Sequence, residues 1–292
     1  MSVAPKLRIL PGLGAFLLPW LLQAAWAGLL VVWLGGLDGL SRTLGMAGPS
    51  VHRIIGLSMA STVVLAIVLF FLGAGRNVPL GVPVVFATVP WWLGVAGALR
   101  GMGTVLQAVA SVPPDERSMM LMQGTGEVLC LRMFGAWSST ALLLATAGAL
   151  LIAGLSYRRT GEESVEPPVK ERMNEGVVVA MLALVAWLAA FESLSLAEFF
   201  FATSDMDPLR REQFLASMAG QLRTLGMLGL GARVALVLAF FALGRRHLAR
   251  RPRKAVALGS LALVLLLAVG TLWADAQPLA RLRDAREQVD AR

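Results

Sequence analysis

The chain has 292 residues, of which 57% are hydrophobic and only 15% charged, and its mean hydropathy is +0.71. Soluble domains carry about 25% charged residues, so this balance excludes an ordinary water-soluble enzyme or binding module and predicts an all-α, polytopic membrane helix bundle. The net charge of +8 does not point to nucleic acid, because the basic residues gather between apolar runs instead of interleaving with aromatics on a polar face.

Crossing about 30 Å of hydrocarbon takes roughly twenty apolar residues as helix. Such runs lie at 12–35, 54–75, 79–99, 133–155, 176–200, 224–244 and 255–274. They predict about seven spans in a single integral membrane domain over 1–292. The spans pair into hairpins at 1–78, 79–160 and 175–250, followed by a final helix at 255–274 and a polar tail at 275–292. The first run imitates a secretory signal, with Lys6 and Arg8 before it and AWA at 25–27, but it carries straight on as GLLVVWLGGL and is predicted to be an uncleaved span. The third run continues apolar past Arg100, and the fifth carries Glu192 and Glu198 near its end.

Two loops, 112–129 and 203–222, place Asp and Pro ahead of apolar residues at helical spacing. Each is expected to hold an amphipathic segment lying on the bilayer, with Met119, Met120 and Met122 facing lipid or a neighbouring helix. A shift of 94 residues aligns Pro114 with Pro208, Arg117 with Arg211, Gly126 with Gly220 and Gly135 with Gly229. That alignment suggests that the second and third hairpins are internal duplicates.

The stretch RRHLARRPRK, 245–254, holds six Lys or Arg in ten residues, the composition of a cytoplasmic anchor. Alternation then puts the N-terminus inside and the C-terminal tail outside, with a bacterial inner membrane as the expected location. The lone Cys130 has no partner for an internal disulfide, and His52 and His247 are the only histidines, so neither a metal site nor a cofactor is expected. No nucleophile and base pair, phosphate loop or carboxylate dyad is present, and an enzyme is not expected. The expected partners are the bilayer itself and other membrane subunits or further copies of this chain.

Ionisable residues within the membrane mark candidate sites. Glu192 and Arg233 fall at similar depth on neighbouring antiparallel spans and are expected to pair. In GTGEVLCLRMFG, 124–135, Glu127 and Arg132 stand five positions apart and do not share a helix face. Glu127 is expected to meet Arg100 at the end of the preceding span, with Arg132 pointing elsewhere. The prolines inside the runs, Pro19, Pro83 and Pro90, do not recur at matching positions in two halves, so no broken-helix substrate site at the midplane is expected.

The segment LGVAGALRGM, 93–102, followed by a short loop and GTGEVL through Gly135, resembles the last two spans of the MotA/TolQ/ExbB proton-channel proteins. Their pattern runs approximately LGLLGTVxGM, a loop, then GISEALxTTxxG. The matching positions are Leu93, Gly94, Gly97, Gly101 and Met102, then Gly124, Glu127, Leu129 and Gly135. The resemblance implies an oligomeric, energy-transducing subunit that acts with a partner, with Glu127 as the acid at the mouth of its last helix. Ala98, Leu131 and Arg132 replace the family's channel-lining threonines, so the chain is expected not to conduct alone. A small-solute or ion transporter and a purely structural scaffold are the alternatives.

Overall fold

The computed structural model describes residues 9–76, 78–160, 169–204 and 206–207, and among these the regular structure is entirely helical. In chain order the helices are α1 (Ile9–Trp33), α2 (Leu37–Ala47), α3 (Pro49–Gly73), α4 (Gly81–Ser111), α5 (Pro114–Thr160) and α6 (Val169–Ser204). Five stretches are long and apolar enough to cross a membrane, namely Ile9–Trp33, Ser50–Gly73, Gly81–Ser111, Glu116–Leu155 and Glu175–Ser204. They correspond to the first five expected spans and make a multi-pass membrane architecture. The expected spans 224–244 and 255–274, the basic stretch 245–254, the second half of the aligned duplicate and Arg233 lie outside the described residues.

Helix α2 stands where the sequence reading had only a connection. Gly36 and Gly48 bracket it at φ of 98° and 67°, backbone conformations that side-chain-bearing residues rarely adopt. Within α2, Gly39, Thr43 and Ala47 are buried at helical spacing, while Asp38, Ser41 and Arg42 are exposed. Leu40 and Leu44 pack against the main core, so α2 lays one face on the bundle and turns the other outward. Gly39 makes this possible, because a Cβ there would run into the Leu34 carbonyl.

The second departure is the length of the middle hairpin. The expected loop 112–129 shrinks to Val112 and Pro113. Val112 is extended at φ −98° and ψ 160°, as a residue before proline tends to be, and α5 opens with Pro114 in the first turn, where a missing N–H does no harm. From there α5 runs 47 residues, about 70 Å at 1.5 Å per residue. Met122, which the loop reading placed on the bilayer surface, is 5% exposed and belongs to the core, whereas Met119 is 42% exposed.

Close approaches fix the relative heights of the helices. A Cβ on Gly12 would stand 3.1 Å from the Phe70 ring, and one on Gly73 would stand 2.6 Å from the Pro11 carbonyl, so α1 and α3 run antiparallel. Trp33, the last residue of α1, stacks on Trp137 of α5 at 5.0 Å and on Phe191 of α6 at 5.5 Å. Gly97 of α4 faces Ile54 of α3 and Leu131 of α5. One level of the bundle therefore holds the end of α1, the start of α3, and the middle parts of α4, α5 and α6. Beyond it α4 continues from Gly97 to Ser111, about 20 Å. There it packs on α5 through a small separate core of Ala98, Met102 and Val128.

Candidate functional site

Arg132 and Glu192 lie at the level where α1 ends and the longer helices go on. Arg132 is 4% exposed and Glu192 8%. Their Nη2 and Oε2 atoms are 3.7 Å apart across the α5–α6 contact. Either charge alone in an apolar interior is unfavourable by several kcal/mol, and pairing offsets most of that. Arg132 thus points away from Glu127, as expected from the spacing of five, but its partner is Glu192. The sequence had assigned Glu192 to Arg233, which lies outside the described residues.

The surroundings of the pair are apolar and aromatic. Trp137 stacks between Trp26, at 5.3 Å, and Trp33, at 5.0 Å. Trp33 in turn lies on Phe191, which meets Trp187 at 6.1 Å. Trp137 Nε1 donates to the Trp26 carbonyl at 3.0 Å, and Gln23 Nε2 donates to Ser138 Oγ at 2.9 Å. Two side-chain donors therefore tie α1 to α5 while the rings fill the space between α1, α5 and α6.

Hydroxyls along α5 and α6 are engaged locally. Thr140 and Thr146 of α5 donate to the Ala136 and Leu142 carbonyls of their own helix, and Ser193 of α6 donates to Ala189. Two other hydroxyls, those of Ser61 and Ser139, serve a proline. Pro90 inside α4 has no N–H to give the Phe86 carbonyl. Ser61 of α3 donates to that carbonyl at 2.5 Å, and the next amide, Trp91 N–H, donates to Ser139 Oγ at 2.9 Å. Neighbouring helices repairing a proline break with hydroxyls is how membrane helices tolerate one. Nothing in the spacing of Ser61, Pro90 and Ser139 along the chain revealed this three-helix arrangement.

The glycines of the family-like motif line the α4–α5 contact. A Cβ on Gly135 would stand 2.5 Å from the Pro90 carbonyl and 2.9 Å from Gly94 Cα. A Cβ on Gly94 would stand 3.0 Å from the Leu131 carbonyl. Gly101 faces Val128, and Gly124 faces Val105, at 2.9 and 2.5 Å from such an added carbon. Gly97 is different, with its nearest neighbours at 3.7 and 3.8 Å. Gly94 and Gly135 thus let two backbones approach, and Gly101 and Gly124 make room for valine side chains of the facing helix, the use membrane helices make of small residues. Ala98 and Leu131, the positions where the family has threonine, are 6% and 5% exposed within the same contact.

The expected pairing of Glu127 with Arg100 is not formed. Among the described residues no ion pair joins Glu127 to Arg100; Arg100 is exposed, and half-buried Glu127 takes a hydrogen bond from the Gln123 side chain. Cys130 is 1% exposed and free, the small apolar filler that its surroundings suggest. No group of three or more His, Cys, Asp or Glu that could hold a metal occurs among the described residues. The apolar run read at 176–200 also left Glu175 just outside its span. Glu175 is 3% exposed, next to Gly176, whose Cα side packs on the Ala147 carbonyl. The signal was present, since the apolar run EGVVVAMLAL starts immediately at Glu175. No protein-family model, curated protein or solved structure matches the chain.

Proposed function

We propose that the chain is a subunit of a membrane assembly, related in design to TolQ and ExbB-type energy-transducing proteins, whose buried charges lock helices together and which does not pass protons by itself. The observation that carries this reading is the closed Arg132–Glu192 junction, 4% and 8% exposed. A proton path needs a chain of titratable or hydroxylic groups open to water. Next to Glu192 along α6 the hydroxyl of Ser193 is spent on a carbonyl of its own helix, and farther along α5 those of Thr140 and Thr146 are spent in the same way. A guanidinium remains charged at any physiological pH, so Arg132 is a fixed positive centre, unfavourable for a passing cation. The hairpin of α4 and α5, which projects about 20 Å past the end of α1, is the natural contact for other subunits in a bacterial inner membrane.

Proton flux into liposomes loaded with a pH-sensitive dye tests the reading. Purified protein under an imposed pH gradient gives the same flux as empty vesicles. Flux above that background that disappears with Glu127→Gln would restore the channel reading that the family resemblance implies.

A further inference from the structure

A recess of about 200 Å³ opens between α2, α5 and α6, at the end of the bundle where α1 stops and amphipathic α2 lies across it. Its walls include Leu34, Leu194, Ala197 and Phe201, and it holds two exposed charges of opposite sign, Arg42 of α2 and Glu198 of α6. Arg42 Nε makes a long hydrogen bond of 3.4 Å to the Asp38 carbonyl one turn back. No ion pair joins Arg42 to Glu198 or to Asp38 among the described residues. The recess thus presents a separate cation and anion above an apolar wall, on the amphipathic layer of a membrane protein.

We propose that this recess binds the headgroup of a zwitterionic phospholipid that carries a phosphate and a primary ammonium. The phosphate is matched by the planar donor fork of Arg42, and the ammonium donates to the Glu198 carboxylate, both charge-assisted hydrogen bonds. A purely anionic headgroup meets repulsion from Glu198, and a cationic one meets it from Arg42. A quaternary ammonium has no N–H to give the carboxylate and loses that bond. Since a water molecule takes up about 30 Å³ of the liquid, a recess of about 200 Å³ accommodates a headgroup but not acyl chains. The acyl chains are left to the bilayer. A free zwitterion such as phosphoethanolamine offers the same polar chemistry without the chains.

Native mass spectrometry of the full-length protein in detergent, titrated with phosphatidylethanolamine, phosphatidylglycerol and phosphatidylcholine of identical chains, tests this assignment. Phosphatidylethanolamine is expected to bind about tenfold more tightly than the other two, one hydrogen-bonded charge contact being of that order. Glu198→Gln is expected to remove the preference, whereas Arg42→Gln, which loses the contact to a phosphate that all three lipids carry, is expected to weaken all three by about tenfold. Both side chains are exposed, so the lipid-free melting temperature stays unchanged, and Arg100→Gln, an exposed cation elsewhere, keeps the preference. Equal binding of the three lipids, a preference that survives Glu198→Gln, or binding that Arg42→Gln leaves unchanged overturns the site. Displacement of the lipid by an equimolar amount of free phosphoethanolamine overturns the lipid as its occupant.

Discussion

The two faces of α5 around Arg132 are built on different principles. Toward α4 the contact is made by absence, with Gly94 and Gly135 so close that a single added carbon would meet backbone on the other helix. Toward α6, within the same turns, the contact is made by opposite charges, Arg132 and Glu192 at 3.7 Å. Lipid tails are as apolar as leucine, so no hydrophobic force drives helices together within the bilayer. Close packing and polar contacts are the forces left, and α5 uses one on each side. The packed seam fixes how near and at what register α4 sits, whereas the ion pair selects a partner and excludes a hydrocarbon environment for either charge.

That contrast sets an order of expected effects. The largest belongs to the charged face. Arg132→Leu leaves Glu192 buried without its cation and should destabilise the protein by about 3–5 kcal/mol, read as the unfolding free energy in mixed micelles. On the packed face, Gly135→Ala puts a methyl against the Pro90 carbonyl and Gly94 Cα, neither of which can swing aside. It should destabilise by about 1–3 kcal/mol in the same measurement. Ser139→Ala removes the hydroxyl that accepts from Trp91 N–H beside the proline and should destabilise by about 1 kcal/mol. Gly97→Ala meets nothing closer than 3.7 Å and should stay within about 0.5 kcal/mol of the native protein. A Gly97→Ala penalty as large as that of Gly135→Ala would show that the motif glycines are not distinguished by backbone approach.

The membrane class and the first five spans were legible because twenty-residue apolar runs are a strong signal. The glycine pattern at 94, 101, 124 and 135 was also legible, although sequence offered kinship as its meaning where the structure offers packing. Helix α2 was missed despite its punctuation: Gly35 and Gly36 before it, Gly48 and Pro49 after it, and apolar residues at 40, 44 and 47. Eleven residues with two acidic or basic side chains read as a connection when the search is for spans. The partner of Arg132 was missed for a different reason. Starting the fourth span at 133 left Arg132 at a surface, whereas α5 begins at Pro114 and carries Arg132 far along a continuous helix. Nothing between 115 and 131 breaks that helix, since no proline occurs there and glycines at 124 and 126 are tolerated where a neighbour packs on them. Pair choice between helices depends on register, which a linear pattern does not encode.

The contrast between the two faces of α5 rests on Arg132 and Glu192 acting as one packing unit, and a double-mutant cycle measures that directly. Unfolding free energies in mixed micelles are compared for Arg132→Leu, Glu192→Leu and the double variant. If the charges hold each other in place, each single variant is destabilised by about 3–5 kcal/mol and the double variant by much less than the worse single, because no uncompensated charge remains. A double variant whose destabilisation equals the sum of the two singles would contradict the pairing and with it the role assigned to the α5–α6 junction.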